Sequence, residues 1–398
     1  MDKSFLASRL NAFAESQTLA MATKSRELKA KGIEVINLNL GEPDFVTPDY
    51  ICKAAQEAID SGVTFYPPVA GFMELRKAIA AKLLRENGLN YAPENIIVST
   101  GAKQTLANIF YSLINPGDEV IILTPYWVTY IEQVRMMEGV PVLVEGSIEN
   151  DFKPLAADIA KAITPKTKAL VFSSPCNPTG SVFSRQELQE IAEVCAPHEL
   201  LIISDEIYEH INFVGKHESI AQFENVYSKT VVVNGFSKGY AMTGWRMGYM
   251  AGPLSLVKAC EKVQGQFTSG ACSISQKAAQ AALEGPQEAT QAMTQAYLRR
   301  RNLIKDLLDE VKGFKTNMPQ GAFYIFPDVS ELLGLSYQGN VMATAYDLSM
   351  FLLNEAHVSL VDGSAFGAPQ CLRLSYATSD QNISRAIEQI GKAVAKLS

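Results

Sequence analysis

A lysine and an arginine, Lys238 and Arg246, stand eight residues apart in the segment NGFSKGYAMTGWRMGY, Asn234 to Tyr249. The apolar run Thr230-Val231-Val232-Val233 precedes it, so a strand would deliver the lysine to a turn. A lysine so placed can form an imine with an aldehyde, and an arginine can clamp a phosphate. A Lys/Arg pair near a strand end is also what an ordinary solvated surface carries. The residues between them argue against that reading. Gly235, Ser237, Gly239, Ala241, Gly244 and Gly248 let backbone approach something closely, which a solvated loop does not need. One cofactor bears an aldehyde and a phosphate on a single ring: pyridoxal 5'-phosphate (PLP).

Such chemistry needs a scaffold, and the rest of the chain supplies one. Short β-branched runs at Asn95–Thr100, Glu119–Leu123, Val140–Glu145, Ala169–Ser173, Leu200–Asp205, Thr230–Asn234 and Met247–Ala251 alternate with helical patterns such as Lys103–Ile114 and Arg185–Cys195. Most of the runs are apolar on both faces, as in a sheet covered by helices. The alternation predicts an α/β fold with a largely parallel sheet. From about Pro286 the pattern changes. Arg299–Val311 and Val341–Glu355 read as helices, Ala322–Phe326 and Cys371–Ser375 as strands, which suggests a smaller α+β domain. Glu34–Leu38 is a strand candidate with no sheet partner nearby, so the first 48 residues are assigned in part to that second domain. The division is then 1–48 (an N-terminal arm and part of the small domain), 49–298 (the large domain) and 299–398 (the rest of the small domain).

Composition bounds the partners. The 398 residues carry a formal net charge of −7, which argues against a nucleic-acid surface. The six cysteines form no C-x-x-C pair and read as reduced thiols. No metal site is expected, because Ile202 and Ala221 stand where the two His-Glu dipeptides would need a second histidine. No run approaches the roughly 18 to 20 apolar residues of a membrane span, and Met1 to Ala14 lacks a secretory pattern. The expectation is a cytoplasmic enzyme that binds neither membrane nor nucleic acid.

In parallel sheets, ligands bind past the carboxyl ends of the strands. Gly101-Ala102-Lys103-Gln104 follows the first run and opens a helix; it is either an anion site or a tight turn. Trp127 follows the second, as a stacking surface or a core ring. Pro175-Cys176-Asn177-Pro178 follows the fourth and aims an amide, or is a plain turn whose prolines could be cis. Asp205 ends the fifth, where a buried carboxylate needs a cation or several donors; it could equally cap a helix. Arg373 interrupts an apolar strand and wants a planar anion or an internal salt bridge. Together these are the parts needed to hold PLP and an amino acid.

The chain resembles the class I aminotransferases of the fold-type I PLP enzymes, and within them the bacterial branch of aspartate aminotransferases. The likeness runs from about Phe5 to the C-terminus, and the segment around Lys238 satisfies the family signature at every constrained position. By that resemblance the fold is a large PLP-binding domain with a mostly parallel sheet plus a smaller α+β domain. Lys238 forms an aldimine, Asp205 pairs with the pyridine nitrogen, and Tyr208 and Asn177 bond the ring oxygen. Trp127 stacks on the ring, and Gly101, Ala102, Lys103 and Arg246 surround the phosphate. Tyr66 reaches the phosphate from the other subunit of a homodimer. Arg373 binds the substrate α-carboxylate near the backbone of Gly41. Some relatives carry a phosphate-binding serine three residues before the lysine; Gly235 stands there in this chain, and Ser237 is assigned in its place.

The resemblance also implies ping-pong transamination between L-aspartate and 2-oxoglutarate. One branch reads the distal carboxylate with an arginine after the signature, and no arginine occurs between Met247 and Leu298. The bacterial branch uses a lysine in Gly-[Gly/Ala]-Lys-Gln, where Lys103 stands, so Lys103 is expected to bind that carboxylate or only the phosphate. The alternatives are an aminotransferase for aromatic or neutral amino acids or prephenate, a PLP lyase on the same fold, and a non-catalytic ligand-binding protein.

Overall fold

The computed structural model describes residues 6–13 and 17–398. Parts of the expected N-terminal arm, 1–5 and 14–16, lie outside the described residues. The main sheet has seven strands: β1 (Ile96–Thr100), β2 (Glu119–Thr124), β3 (Val140–Glu145), β4 (Thr167–Ser173), β5 (Leu201–Asp205), β6 (Thr230–Gly235) and β7 (Met247–Ala251), in the spatial order β1-β7-β6-β5-β4-β2-β3. All seven predicted runs become strands, shifted by at most two residues at either end. The reason is visible in β6, where Val231, Val232 and Val233 are fully buried. Each such side chain contributes about 1.5–3 kcal/mol by leaving water, and no other element can bury both faces of so short a run.

The parallel sheet carries one exception. β7 runs antiparallel between β1 and β6, with Met247 beside Thr100 and Gly248 beside Gly235. Arg246, which precedes a strand, therefore arrives at the same edge as residues that follow strands. Ser173 at the end of β4 lies beside Asp205 at the end of β5. One edge of the sheet thus gathers the ends of β1, β4, β5 and β6 and the start of β7.

The smaller elements differ more from expectation. The predicted Arg299–Val311 helix is Glu288–Asp309, so the boundary expected at 298/299 falls inside it. Its first turns are Gln- and Thr-rich and mask the apolar stripe of Met293, Tyr297 and Ile304. The predicted Val341–Glu355 helix begins at Ala345, because Thr344 and Asp347 form a capping box there; Asn340–Val341 is instead half of a short hairpin. Leu372–Ser375 is the middle strand of a three-stranded sheet, between Val361–Asp362 and Tyr324–Ile325. Ile36–Asn37 pairs in parallel with Val358–Ser359, and Leu38 shares a hydrophobic cluster with Leu374 and Tyr324.

Candidate active site

A cavity of about 400 Å³ opens at the gathered edge, bounded on its far side by Tyr324, Arg373 and the segment Asn39–Glu42. Each wall follows from local structure. Gly101 ends the turn after β1 with φ +81°, and the helix Ala102–Leu113 starts there, its first amides free of intrahelical partners. A Cβ on Gly101 would run into the Arg246 guanidinium, and one on Gly248 into the backbone of Ala102. The three backbones therefore close on each other only as glycines allow. Arg246 itself has φ +55°, a conformation that a non-glycine residue adopts at some cost. Its Nη1 donates to the Thr243 carbonyl at 3.0 Å.

On the opposite wall Asp205 is buried. It accepts from the Tyr130 hydroxyl at 2.6 Å and from the Ile207 amide at 3.3 Å. Burial raises its carboxyl to about 6, with those bonds and Lys238 acting against burial and Glu206 acting with it. Lys238 is half-buried and donates to the Gly41 carbonyl. Burial pushes its ammonium down to about 8; Glu42 and Asp205 oppose this, while Arg373 and Arg246 reinforce it. The Tyr208 and Tyr324 hydroxyls share a bond of 2.8 Å.

Arg373 is buried in the apolar strand that the sequence marks. Its Nη1 donates to Asn177 Oδ1 at 2.9 Å and its Nη2 to the Asn39 carbonyl at 2.8 Å. Its plane lies 4.6 Å from the Tyr324 ring centre, and its buried Nε has no partner. Lys103 is exposed as a whole residue, while its Nζ lies 5.2 Å from the Trp127 ring centre, partly withdrawn from water at the cavity wall; that partial desolvation, then Arg246, lowers its pKa. Thr243 donates to Glu42 at the rim.

All the residues marked in the sequence come to this cavity except two. Gly101 stands behind Arg246. Tyr66 is 95% exposed and outside the cavity, next to Phe65 at 83%. Sequence reasoning missed Tyr130, Tyr324, Asn39, Ser173 and the Glu42–Thr243 pair. Tyr130 lies in the first turn of the helix Thr129–Met136, just after Trp127, and its role shows only once that helix is packed against Asp205. Asn39 and Tyr324 arrive from distant segments and left no signal. Both marked prolines, Pro175 and Pro178, follow cis bonds, as does Pro125.

The donor set fits a planar ring bearing a phosphate. Among the described residues, none of Lys103, Lys238, Arg246 and Arg373 forms an ion pair, although all four face one cavity. Such a surplus of positive charge suits an anionic ligand. The glycine-lined turn beside Arg246 and the helix N-terminus suits a phosphate. Asp205, buried in the cavity wall, has no ion-pair partner among the described residues and suits a protonated ring nitrogen.

Comparison with known proteins agrees with this geometry. Residues 33–390 match the family described as aminotransferase class I and II. The chain is 46% identical over 387 residues to an aspartate aminotransferase of Geobacillus stearothermophilus, covering 97% of this chain and 98% of that one. It is also 46% identical over 391 residues to a probable aspartate/prephenate aminotransferase of Rhizobium leguminosarum bv. phaseoli, covering 97% and 98%. A crystal structure of the aspartate aminotransferase from Rhizobium meliloti superposes with a TM-score of 0.96 at 41% identity over 99% of each chain. No helix among the described residues is long and apolar enough to cross a membrane. With the fold-type I architecture, the cavity and these likenesses in hand, the chain belongs to the class I and II aminotransferases, a family that implies PLP as cofactor and amino and 2-oxo acids as substrates.

Proposed function

We propose that the protein transfers the amino group of L-aspartate to 2-oxoglutarate, with PLP held by Lys238. The observation that carries this reading is the set of four unpaired cations around one cavity, with Asp205 buried in its wall. PLP, when bound, supplies an aldehyde for the lysine amine and a ring that accepts electrons. Asp205 holds a proton at the ring nitrogen. Trp127 gives the ring a flat face, and Asn177 and Tyr208 bond its hydroxyl oxygen. Arg246, Gly101, Ala102 and Ser237 receive the phosphate.

The remaining groups select and activate the substrate. Arg373, rigidly held by Asn177 and Asn39, takes the α-carboxylate beside Gly41. Lys238, with its pKa lowered to about 8, has a usable fraction of neutral amine near pH 7 and acts as the base at the substrate Cα. An ordinary lysine, near 10.4, would have almost none. Lys103 binds the distal carboxylate; its ammonium has no competing acid among the described residues.

The working unit in this reading is a homodimer. Phe65 and Tyr66 are exposed aromatic residues that such an interface would cover, and Tyr66 reaches the phosphate of the second copy. In this reading residues 49–298 make the large domain and 299–398 with part of 1–48 the small one, and the helix Glu288–Asp309 runs across the division. A second reading, with prephenate as acceptor, draws on the equal identity to a relative of that name. Both acceptors are dicarboxylates, so Lys103 serves either.

Lys103→Ala tests the specificity assignment. The lysine is exposed, which places the loss at the lower end for a charge pair, roughly 2 kcal/mol or about 30-fold in kcat/KM for aspartate. Alanine as donor should be nearly unaffected. An equal fall for aspartate and alanine would remove Lys103 from substrate recognition. Competition between 2-oxoglutarate and prephenate in the wild type ranks the two acceptors.

A further inference from the structure

Close to the Lys238 turn lies a buried ion pair that none of the chemistry above uses. Lys82, fully buried, ends the helix Met73–Lys82, and the chain continues as a π turn over Leu83–Asn87. Its Nζ donates to Glu209 Oε1 and, at 2.8 Å, to Asn87 Oδ1. Glu209 Oε2 accepts from Asn87 Nδ2 at 2.8 Å. None of these residues lines the cavity. Glu86, Glu209 and His210 are near enough to one another to hold a metal ion, but the Lys82 ammonium already supplies the positive charge there.

What matters is the third partner. Glu209 Oε1 also accepts from Asn234 Nδ2 at 2.8 Å, and Asn234 Oδ1 accepts from the Gly235 amide at 2.7 Å. Glu209 directly follows Tyr208, and Asn234 stands four residues before Lys238. The carboxylate therefore ties the turn that carries Asp205 and Tyr208 to the turn that carries Lys238. A second contact runs alongside: a Cβ on Gly239 would lie 2.6 Å from His210 Nδ1, so the backbone after Lys238 rests on the imidazole after Glu209. His210 in turn bonds Glu86 at 3.1 Å. A buried carboxylate with three N–H donors has one orientation, and a buried ammonium left without it would be costly.

We propose that Glu209, fixed by Lys82 and Asn87, is a positioning residue that sets the Lys238 turn against the Asp205–Tyr208 turn through the amide of Asn234. The proposal rests on the reading that Lys238 and Asp205 serve one cofactor. Such a link matters because a misplacement of about 1 Å costs on the order of a hundredfold in rate.

Asn234→Ala removes the link and leaves Lys82 and Glu209 paired. In the PLP-loaded variant, kcat with aspartate should fall about tenfold to a hundredfold with KM little changed. The pH midpoint of the bound cofactor's visible absorption, which reports the setting of the Lys238 amine, should move. The double variant Lys82→Met/Glu209→Leu removes both buried charges together, at the cost of stranding the Asn87 and Asn234 amides; its folded, PLP-loaded form should show the same two changes. Adding Asn234→Ala to it should change kcat by no more than about twofold, since the link is already gone. Variants that lose urea resistance yet keep the wild-type kcat and absorption midpoint would overturn the proposal. Wild-type protein run alongside separates the two ideas. If it shows no cofactor absorption that responds to aspartate, the assignment of Lys238 and Asp205 fails; if it responds and the variants match it, only the positioning role fails.

Discussion

Asp205 illustrates how a site built for a ligand destabilises the protein that carries it. Its carboxyl is lifted from an ordinary value of 3.8 to about 6, first of all by burial. The folded protein therefore keeps this proton up to about pH 6, whereas the unfolded chain releases it near 3.8. Between those values the folded state binds more protons, so stability falls as pH rises through that window and is level above it. At roughly 1.4 kcal/mol per pH unit, the charged carboxylate costs the cofactor-free protein on the order of 3 kcal/mol at pH 7. Asp205→Asn removes that charge. Its amide leaves one donor facing Tyr130 or the Ile207 amide, which costs about 1–3 kcal/mol, but that cost is the same at every pH. Urea unfolding of both cofactor-free proteins at pH 4 and pH 7 isolates the effect. The stability difference should move in favour of Asn by about 2.4 kcal/mol between the two pH values, because the first part of the window lies below pH 4. Added PLP should reverse the order, because the ring nitrogen pairs only with the aspartate. A stability difference that stays constant with pH, or equal stabilisation of both proteins by PLP, would refute the argument.

Two further predictions concern the cofactor's other attachments. Gly101→Ala places a methyl group against the Arg246 guanidinium at a backbone φ of +81°. Strain and a displaced charge-assisted bond together cost roughly 2–3 kcal/mol, so PLP affinity measured by absorbance titration should fall about 30- to 150-fold. A change of less than about threefold would mean that this turn does not cradle the phosphate. The rate at which PLP attaches to the cofactor-free protein should rise about tenfold per pH unit and level off near the Lys238 value of about 8. A rate still climbing past pH 10 would mean that the lysine is unperturbed.

Much of this site can be read from the sequence because one edge of the sheet does the gathering. The runs ending at Thr100, Ser173, Asp205 and Gly235 are short and apolar on both faces, and a parallel sheet brings their ends together. Arg246 is the instructive case. It precedes a strand, and only the antiparallel course of β7 brings it to the same edge. The residues that stayed hidden are set by tertiary packing. Tyr130 is an ordinary helix residue until the Asp205 carboxylate lies 2.6 Å away. Tyr324 and Asn39 come from segments about 285 residues apart in the chain. Lys82 and Glu209 carry no signal in the sequence, since nothing local shows that one helix end is buried against the turn after Asp205.

The central claim is that this cavity moves an amino group by way of a cofactor held at Lys238. The direct measurement is to add L-aspartate alone to the purified PLP-loaded protein, follow the visible spectrum, and then add 2-oxoglutarate. Aspartate should convert the cofactor to its amine form with one equivalent of oxaloacetate per site, and 2-oxoglutarate should restore the original spectrum. A cofactor that aspartate leaves unchanged, or oxaloacetate that forms only when both substrates are present together, would contradict the claim.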